Sequence, residues 1–237
     1  MSRRIIRTPL YETDPMRFVT LLDDFHAGST EDGEIGDLGW LGVSMSGSGG
    51  AALNTIPTTT GGFGVRGLRG NANSDYCVTR TAEAQSFAEM SVGMRFGFRV
   101  LPEGTSDTRF WAGFASNSSS VPIQGNATKF LGVRYDSAID GNVYVVSKNG
   151  SGSGSEDVLS LGAATTTAYK TYWFDRVNAT TLRCYSGGAL VGTLTTSNFP
   201  ATGSTCQPVM GIGSTTGGSA KDLNVDFIFA HIPMDRS

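Results

Sequence analysis

Met90-Ser91-Val92-Gly93-Met94-Arg95-Phe96-Gly97-Phe98-Arg99-Val100 alternates apolar with small or charged residues along its whole length. In an extended chain Met90, Val92, Met94, Phe96, Phe98 and Val100 fall on one side, and Ser91, Gly93, Arg95, Gly97 and Arg99 on the other. A period of two marks a strand with one buried face. Wound as a helix, the six apolar residues would spread around the whole circumference. The stretch is therefore a strand.

Segments of similar texture follow at 109–115, 130–135, 143–148, 169–177, 181–185, 190–195 and 223–232. The turns between them carry recognisable chemistry. Gly187-Gly188 suits the positive φ angles of a tight hairpin, and Asp140-Gly141 is a turn pair between Tyr135 and Val143. Asn149-Gly150 opens a Gly/Ser run to Ser155 that reads as an exposed loop. In the last strand Leu223, Val225, Phe227 and Phe229 are expected to face one way, with Asn224 and Asp226 opposite. Gly/Ser/Thr-rich stretches at 44–50, 58–64 and 214–219 read as loops at the edges. Strands at this spacing, without helices between them, imply antiparallel sheets packed face to face. No fixed-period repeat suggests a propeller or solenoid.

Upstream the texture differs. Asp14-Pro15 is a good helix start, with Asp as cap and Pro at the first helical position, yet Phe18-Val19-Thr20 fits a strand equally well. Residues 1–22 are expected to form an N-terminal arm with one short element, and residues 23–237 one β-sandwich domain. The arm carries Arg3, Arg4 and Arg7, read either as a solvated terminus or as a docking arm for a neighbouring subunit.

Composition agrees with an all-β chain. Of 237 residues, 32 are glycine and only 16% are charged, too few for the exposed faces of a helical bundle. A chain of this length buries about three quarters of its unfolded surface and needs no staple. The net charge of −3 offers no general attraction for nucleic acid or an acidic membrane. No apolar run is long enough to cross a bilayer, and no apolar core follows the N-terminal arginines as a signal peptide requires. Cys77, Cys184 and Cys206 have neither disulfide-framework nor zinc spacing, and Cys184 reads as a small hydrophobe in a strand.

No arrangement demands a particular chemistry. The two histidines, His26 and His231, have no G-x-S-x-G nucleophile turn and no H-E-x-x-H motif beside them. Glycoside hydrolysis needs two carboxyl groups about 5–10 Å apart across a cleft, which on one strand means alternate positions; no E-x-D-x-E occurs. Acidic clusters at Glu31, Asp32, Glu34 and Asp37 and at Asp136, Asp140 and Asn142 are read as turns rather than calcium loops, since neither has EF-hand spacing. Gly47–Gly50 lacks the lysine of a phosphate loop. No metal, cofactor or catalytic residue is expected. Among the aromatics, Trp40, Trp111, Tyr135, Tyr144, Tyr172 and Trp173 are candidates for sugar stacking. Trp111 falls out of phase with Phe110 and Phe114, and Tyr172 and Trp173 point to opposite faces. Trp111 and Tyr172 are the chosen glycan-binding candidates.

Two stretches carry a family resemblance. Leu21-Leu22-Asp23-Asp24-Phe25, leading through Gly33-Glu34-Ile35-Gly36 to Leu38-Gly39-Trp40, resembles the start of many bacteriophage virion proteins. Phe110-Trp111-Ala112-Gly113-Phe114, Phe130-Leu131-Gly132-Val133-Arg134-Tyr135-Asp136 and Tyr169-Lys170-Thr171-Tyr172-Trp173-Phe174, with the pair Leu182-Arg183-Cys184-Tyr185 and Ala189-Leu190-Val191-Gly192, resemble concanavalin A-like (laminin G-like) jelly rolls. The resemblance implies an antiparallel jelly roll in a virion protein assembled in the host cytoplasm. It further implies a non-catalytic capsid decoration or stabilising role, in a homo-oligomer docked on the major capsid protein or other virion proteins. A carbohydrate-binding attachment module of a head or tail fibre is the alternative, and a glycan-active hydrolase with acids drawn from separate strands the third reading.

Overall fold

The computed structural model describes residues 18–23, 41–44, 53–54, 66–70, 76–79, 88–89, 91–116, 129–150, 155–200, 205–216 and 221–233, the segments before residue 90 as backbone strands. The strands are β1 (Phe18–Asp23), β2 (Leu41–Ser44), β3 (Leu53–Asn54), β4 (Arg66–Gly70), β5 (Tyr76–Thr79), β6 (Ala88–Glu89), β7 (Arg95–Pro102) and β8 (Arg109–Ala115). They continue with β9 (Phe130–Asp136), β10 (Tyr144–Lys148), β11 (Glu156–Ser160), β12 (Lys170–Asn178), β13 (Thr181–Ser186), β14 (Ala189–Thr195), β15 (Thr205–Gly213) and β16 (Lys221–Pro233). There is no helix among the described residues.

Two antiparallel sheets of eight strands face each other. The first runs β14-β13-β12-β7-β16-β4-β3, with β1 also paired to β16. The second runs β11-β10-β9-β8-β15-β5-β2, with β6 also paired to β15. The deciding alternation makes the centre of the first sheet. Met94, Phe96, Phe98 and Val100 are all at most 1% exposed. The strand is shorter than its alternation suggested. Gly93 takes a φ of 87° and the Met94 N–H bonds the Ser91 carbonyl, so residues 91–94 turn and Val92 is exposed. Register then pairs Tyr172 with Phe98 and Phe174 with Phe96, which sends all four rings into the space between the sheets. Phe96 stacks on Phe174 at 4.9 Å and meets Phe114 of the facing sheet edge-on at 5.6 Å.

Three expectations need correction, and one open choice is decided. Of the helix and strand readings after Asp14-Pro15, the strand forms, since Phe18–Asp23 pairs antiparallel with β16. That pairing also takes residues 18–22 of the expected arm into the first sheet. The Leu223-Val225-Phe227-Phe229 face is broken: the β16–β7 register slips between Val225 and Phe227, leaving Asp226 as a bulge. One extra residue reverses the alternation beyond it. Leu223 and Val225 are in the core, but so are Ile228, Ala230 and Ile232, while Phe227 and Phe229 turn to the outer face. Lastly, the 136–142 turn is built on Asp136 rather than a glycine with positive φ. The Asp136 carbonyl accepts from the Ile139 and Asp140 N–H groups and its carboxylate from Ala138 N–H. The Gly187-Gly188 hairpin forms as expected, with φ values of 60° and 86°.

Candidate functional site

The bulge at Asp226 creates a partly accessible aromatic surface among the described residues. On the outer face of the first sheet, Trp173 of β12 leans across β7 where Gly97 lies between it and β16. A Cβ on Gly97 would come within 2.5 Å of the indole. With no side chain in the way, Trp173 stacks on Phe229 with ring centroids 4.9 Å apart and planes 21° from parallel. Both rings are half-buried. Charged pairs frame them on either side. Arg95 lies 3.4 Å from Asp175, which also accepts the Trp173 indole N–H at 3.3 Å. On the other side Arg99 pairs with Asp226 and sits over the Tyr169 ring at 5.2 Å. The Arg95 and Arg99 side chains are 56% and 43% exposed. Half-exposed rings between guanidinium and carboxylate groups suit a ligand with an apolar face and polar edges.

The outer face of the second sheet is closed and ionic. Trp111 lies directly over Gly211, and Phe130 over the facing glycines Gly113 and Gly132, positions where any Cβ would collide with ring or backbone. These rings form a small cluster with Ala115, Val146 and Val209. Beside it the Arg134 guanidinium grips Asp140 through Nε and Nη2, at 3.0 and 3.2 Å, and reaches Glu156 through Nη1 at 3.0 Å. All three side chains are 8% exposed or less. Burial alone would make Arg134 less basic, but the hydrogen bonds and charges of Asp140 and Glu156 outweigh it and hold the proton more firmly. Lys148, fully buried and paired in register with Glu156, is pushed down by burial, with Glu156 opposing.

A third polar cluster ties loops together at one end. Asp107, at a φ of 51°, accepts from the hydroxyls of Ser214, Thr215 and Thr216 at 2.6–2.7 Å and from the Thr216 N–H at 2.6 Å. Those bonds, Ser214 first, hold its carboxyl well below the usual carboxylate range.

The predicted site residues are placed as follows. Arg3, Arg4 and Arg7 lie outside the described residues, as do His26 and the acidic cluster from Glu31 to Asp37. Trp111 has the phase expected of it, pointing away from Phe110 and Phe114, but it is 1% exposed and offers no ring to a ligand. Tyr172 is 2% exposed and belongs to the main core, its hydroxyl made less acidic by burial. Of the adjacent pair it is Trp173 that leaves the core, with Phe229, which strand phase alone had assigned inward. Asp140, expected in a plain turn, is bound to Arg134. Among the described residues no group of three or more His, Cys, Asp or Glu is placed to hold a metal ion.

No protein-family model matches this chain, and no curated protein matches it in sequence. Solved structures do match in fold. A Bacillus licheniformis β-glucanase aligns over 92% of this chain and 98% of its own, at 14% identity and a TM-score of 0.56. A β-1,3-1,4-glucanase (lichenase) from a mouse hindgut metagenome aligns over 91% and 99%, at 12% identity and 0.57. A protein of unknown function from Shewanella oneidensis aligns over 93% and 89%, at 12% identity and 0.59. Likeness at such identity speaks to architecture and leaves activity to the site itself. The chain has a concanavalin A-like jelly-roll fold similar to that of glucanases.

Proposed function

We propose that this jelly roll is a non-catalytic structural protein of a bacteriophage particle, a capsid decoration or stabilising protein. In this reading it docks on the major capsid protein, or on other virion proteins, through the residues ahead of β1, with Arg3, Arg4 and Arg7 as the contact charges. It assembles as a homo-oligomer in the host cytoplasm. What supports this reading over a hydrolase on the same fold is that several acids on the described faces are engaged with cations or hydroxyl groups. Asp140 and Glu156 hold Arg134, Asp175 holds Arg95, Asp226 holds Arg99, and Asp157 accepts from Thr196 and Asn198. Hydrolysis of a glycoside needs one carboxyl group able to deliver a proton and a second about 5–10 Å away. On β9, the outward row reads Phe130, Gly132, Arg134, Asp136, with a cation where an alternating acid would stand. The virion assignment itself leans on the resemblance of residues 21–40.

The test is co-sedimentation with particles lacking this protein, comparing the full chain with a form beginning at residue 18, which retains β1. Binding by the full chain alone is the expected result. Equal binding by both would refute the docking arm, and binding by neither would refute the decoration role.

A second reading, a carbohydrate-binding attachment module of a head or tail fibre, is favoured by the Trp173–Phe229 surface and its flanking arginines. A surface glycan would stack on the rings and bond to Arg95 or Arg99. On a glycan array Trp173→Ala should lose retention while Trp111→Ala keeps it in any protein that still folds. No retention by the unaltered chain would end this reading.

A further inference from the structure

Arg176 stands on the core side of β12, two positions beyond Phe174 in the same inward row. It is 5% exposed. Its backbone N–H and carbonyl are taken by the Met94 carbonyl and the Gly93 N–H, where β7 begins and β12 ends. The Phe199 ring covers the guanidinium at 4.4 Å. Yet Nε and Nη1 are buried without a hydrogen-bond partner among the described residues, and burial is what makes the group less basic. Asp157, which fixes the loop carrying Phe199, accepts from Thr196 and Asn198, and among the described residues no carboxylate pairs with Arg176. A buried guanidinium with no anion costs more than one aromatic contact restores.

We propose that Arg176 and Phe199 form an oxyanion site at this end of the sandwich, which takes a carboxylate or phosphate group. The planar guanidinium presents two donor edges, Nη2 with Nε and Nη2 with Nη1, each matched to a pair of oxygens. Phe199 holds the cation in plane while the anion neutralises it. This site is separate from the Trp173–Phe229 surface, which lies on the opposite face of the same sheet, and does not rest on either functional reading.

Thermal unfolding of the full chain tests it, in chloride alone and with sodium phosphate or sodium acetate at matched ionic strength. Phosphate should raise the wild-type Tm by a few degrees in a saturable way, as ligand linkage requires. A rise with acetate too identifies carboxylates as ligands; a rise with phosphate alone restricts the site to phosphate. Arg176→Met should show no anion response and should melt no lower than wild type in chloride, since an unpaired buried charge has been removed. Equal shifts in both proteins, or no shift with either anion, would overturn the proposal. Should the variant fail to fold, the Arg176 Nε–H resonance of the 15N-labelled wild type gives the same answer. Saturable movement with phosphate is expected, and a stationary resonance overturns the site.

Discussion

Gly211→Ala should destabilise this protein far more than so small a change normally does, and only because of Trp111. Gly211 lies in ordinary extended strand, where alanine costs the backbone nothing and on average improves on glycine by about 0.5–1 kcal/mol. The obstacle is the indole. A Cβ at 211 would sit more than an ångström inside the contact distance of Trp111 Cζ2, and carbon atoms rest about 3.5–4.0 Å apart. The ring must tilt, but it is 1% exposed and held by Phe130, Val146 and Val209. Overpacking of this kind costs about 1–3 kcal/mol, and the rigid strand under the ring puts the value near the upper end. For a chain of this size that is a Tm drop of roughly 4–12 °C. Trp111→Ala alone should cost about 3–5 kcal/mol. In the double variant the new methyl occupies vacated space, so Gly211→Ala becomes neutral or slightly favourable. A coupling of about 2–3 kcal/mol between the sites follows. Urea unfolding of the four proteins by far-UV circular dichroism measures it, with unchanged m values as the check that the transition is the same. Additivity within about 0.5 kcal/mol would refute the picture of an indole clamped on the outer face, and with it the case against Trp111 as a ligand-binding ring.

Three further outcomes follow from the polar clusters and the thiols. Arg134→Met removes the guanidinium that Asp140 and Glu156 share, leaving Lys148 beside Glu156 as the remaining cation, and should cost about 3–5 kcal/mol. Adding Asp140→Asn and Glu156→Gln should recover most of it, and equal unfolding midpoints for the single and triple variants would contradict the ionic cluster. Asp107 is bonded as a carboxylate, so its folded pKa lies below its unfolded one. Its contribution is present above about pH 4 and lost as pH falls through the folded value. Asp107→Asn should therefore lower Tm at neutral pH and narrow its gap to wild type in acid; a constant gap across the series would exclude the carboxylate as the cause. The Cys184 and Cys206 thiols are pushed up by burial to about 12 and about 11. Peptide mass spectrometry after thiol alkylation at about pH 8 should find both unmodified in the native protein and both modified in denaturant, since the thiolate is the reactive form. Rapid native labelling of either would contradict its burial.

The strands that alternate cleanly are the ones legible in the sequence. Residues 109–115 form β8 with the bounds that the residue pattern predicts, and the strands from β9 to β14, apart from β11, begin and end within a residue or two of expectation. The short strands β2 to β6 ahead of residue 90 were not read from the sequence, and two later strands escaped for opposite reasons. β15 is buried on both faces, and with only Gln207 polar among its alternates Cys206, Met210 and Ile212 are poorly set off from Val209. Its Pro208 also looks like a breaker, yet falls between the pairings with β6 and β5. β11 is the edge of the second sheet, and Glu156-Asp157-Val158-Leu159-Ser160 has no continuous apolar row to betray it.

The site was less legible than the fold, because strand phase fixes only which of two faces a side chain takes. Phase separated Trp111 from Phe110 and Trp173 from Tyr172 correctly. Whether the outer face is open is decided by what lies on it, and the glycine contacts that clamp Trp111 on Gly211 and lean Trp173 across Gly97 join residues up to 100 positions apart. Even phase failed at β16, where one bulged residue, Asp226, turned Phe229 outward. From its sequence this protein has its all-β class, the cleanly alternating strands after residue 90 and the inward row that makes its core, since those follow from a two-residue repeat and local turn chemistry. Only the tertiary structure decided which aromatic rings remain accessible and which acids are neutralised, because those depend on strand neighbours and register that no local pattern encodes.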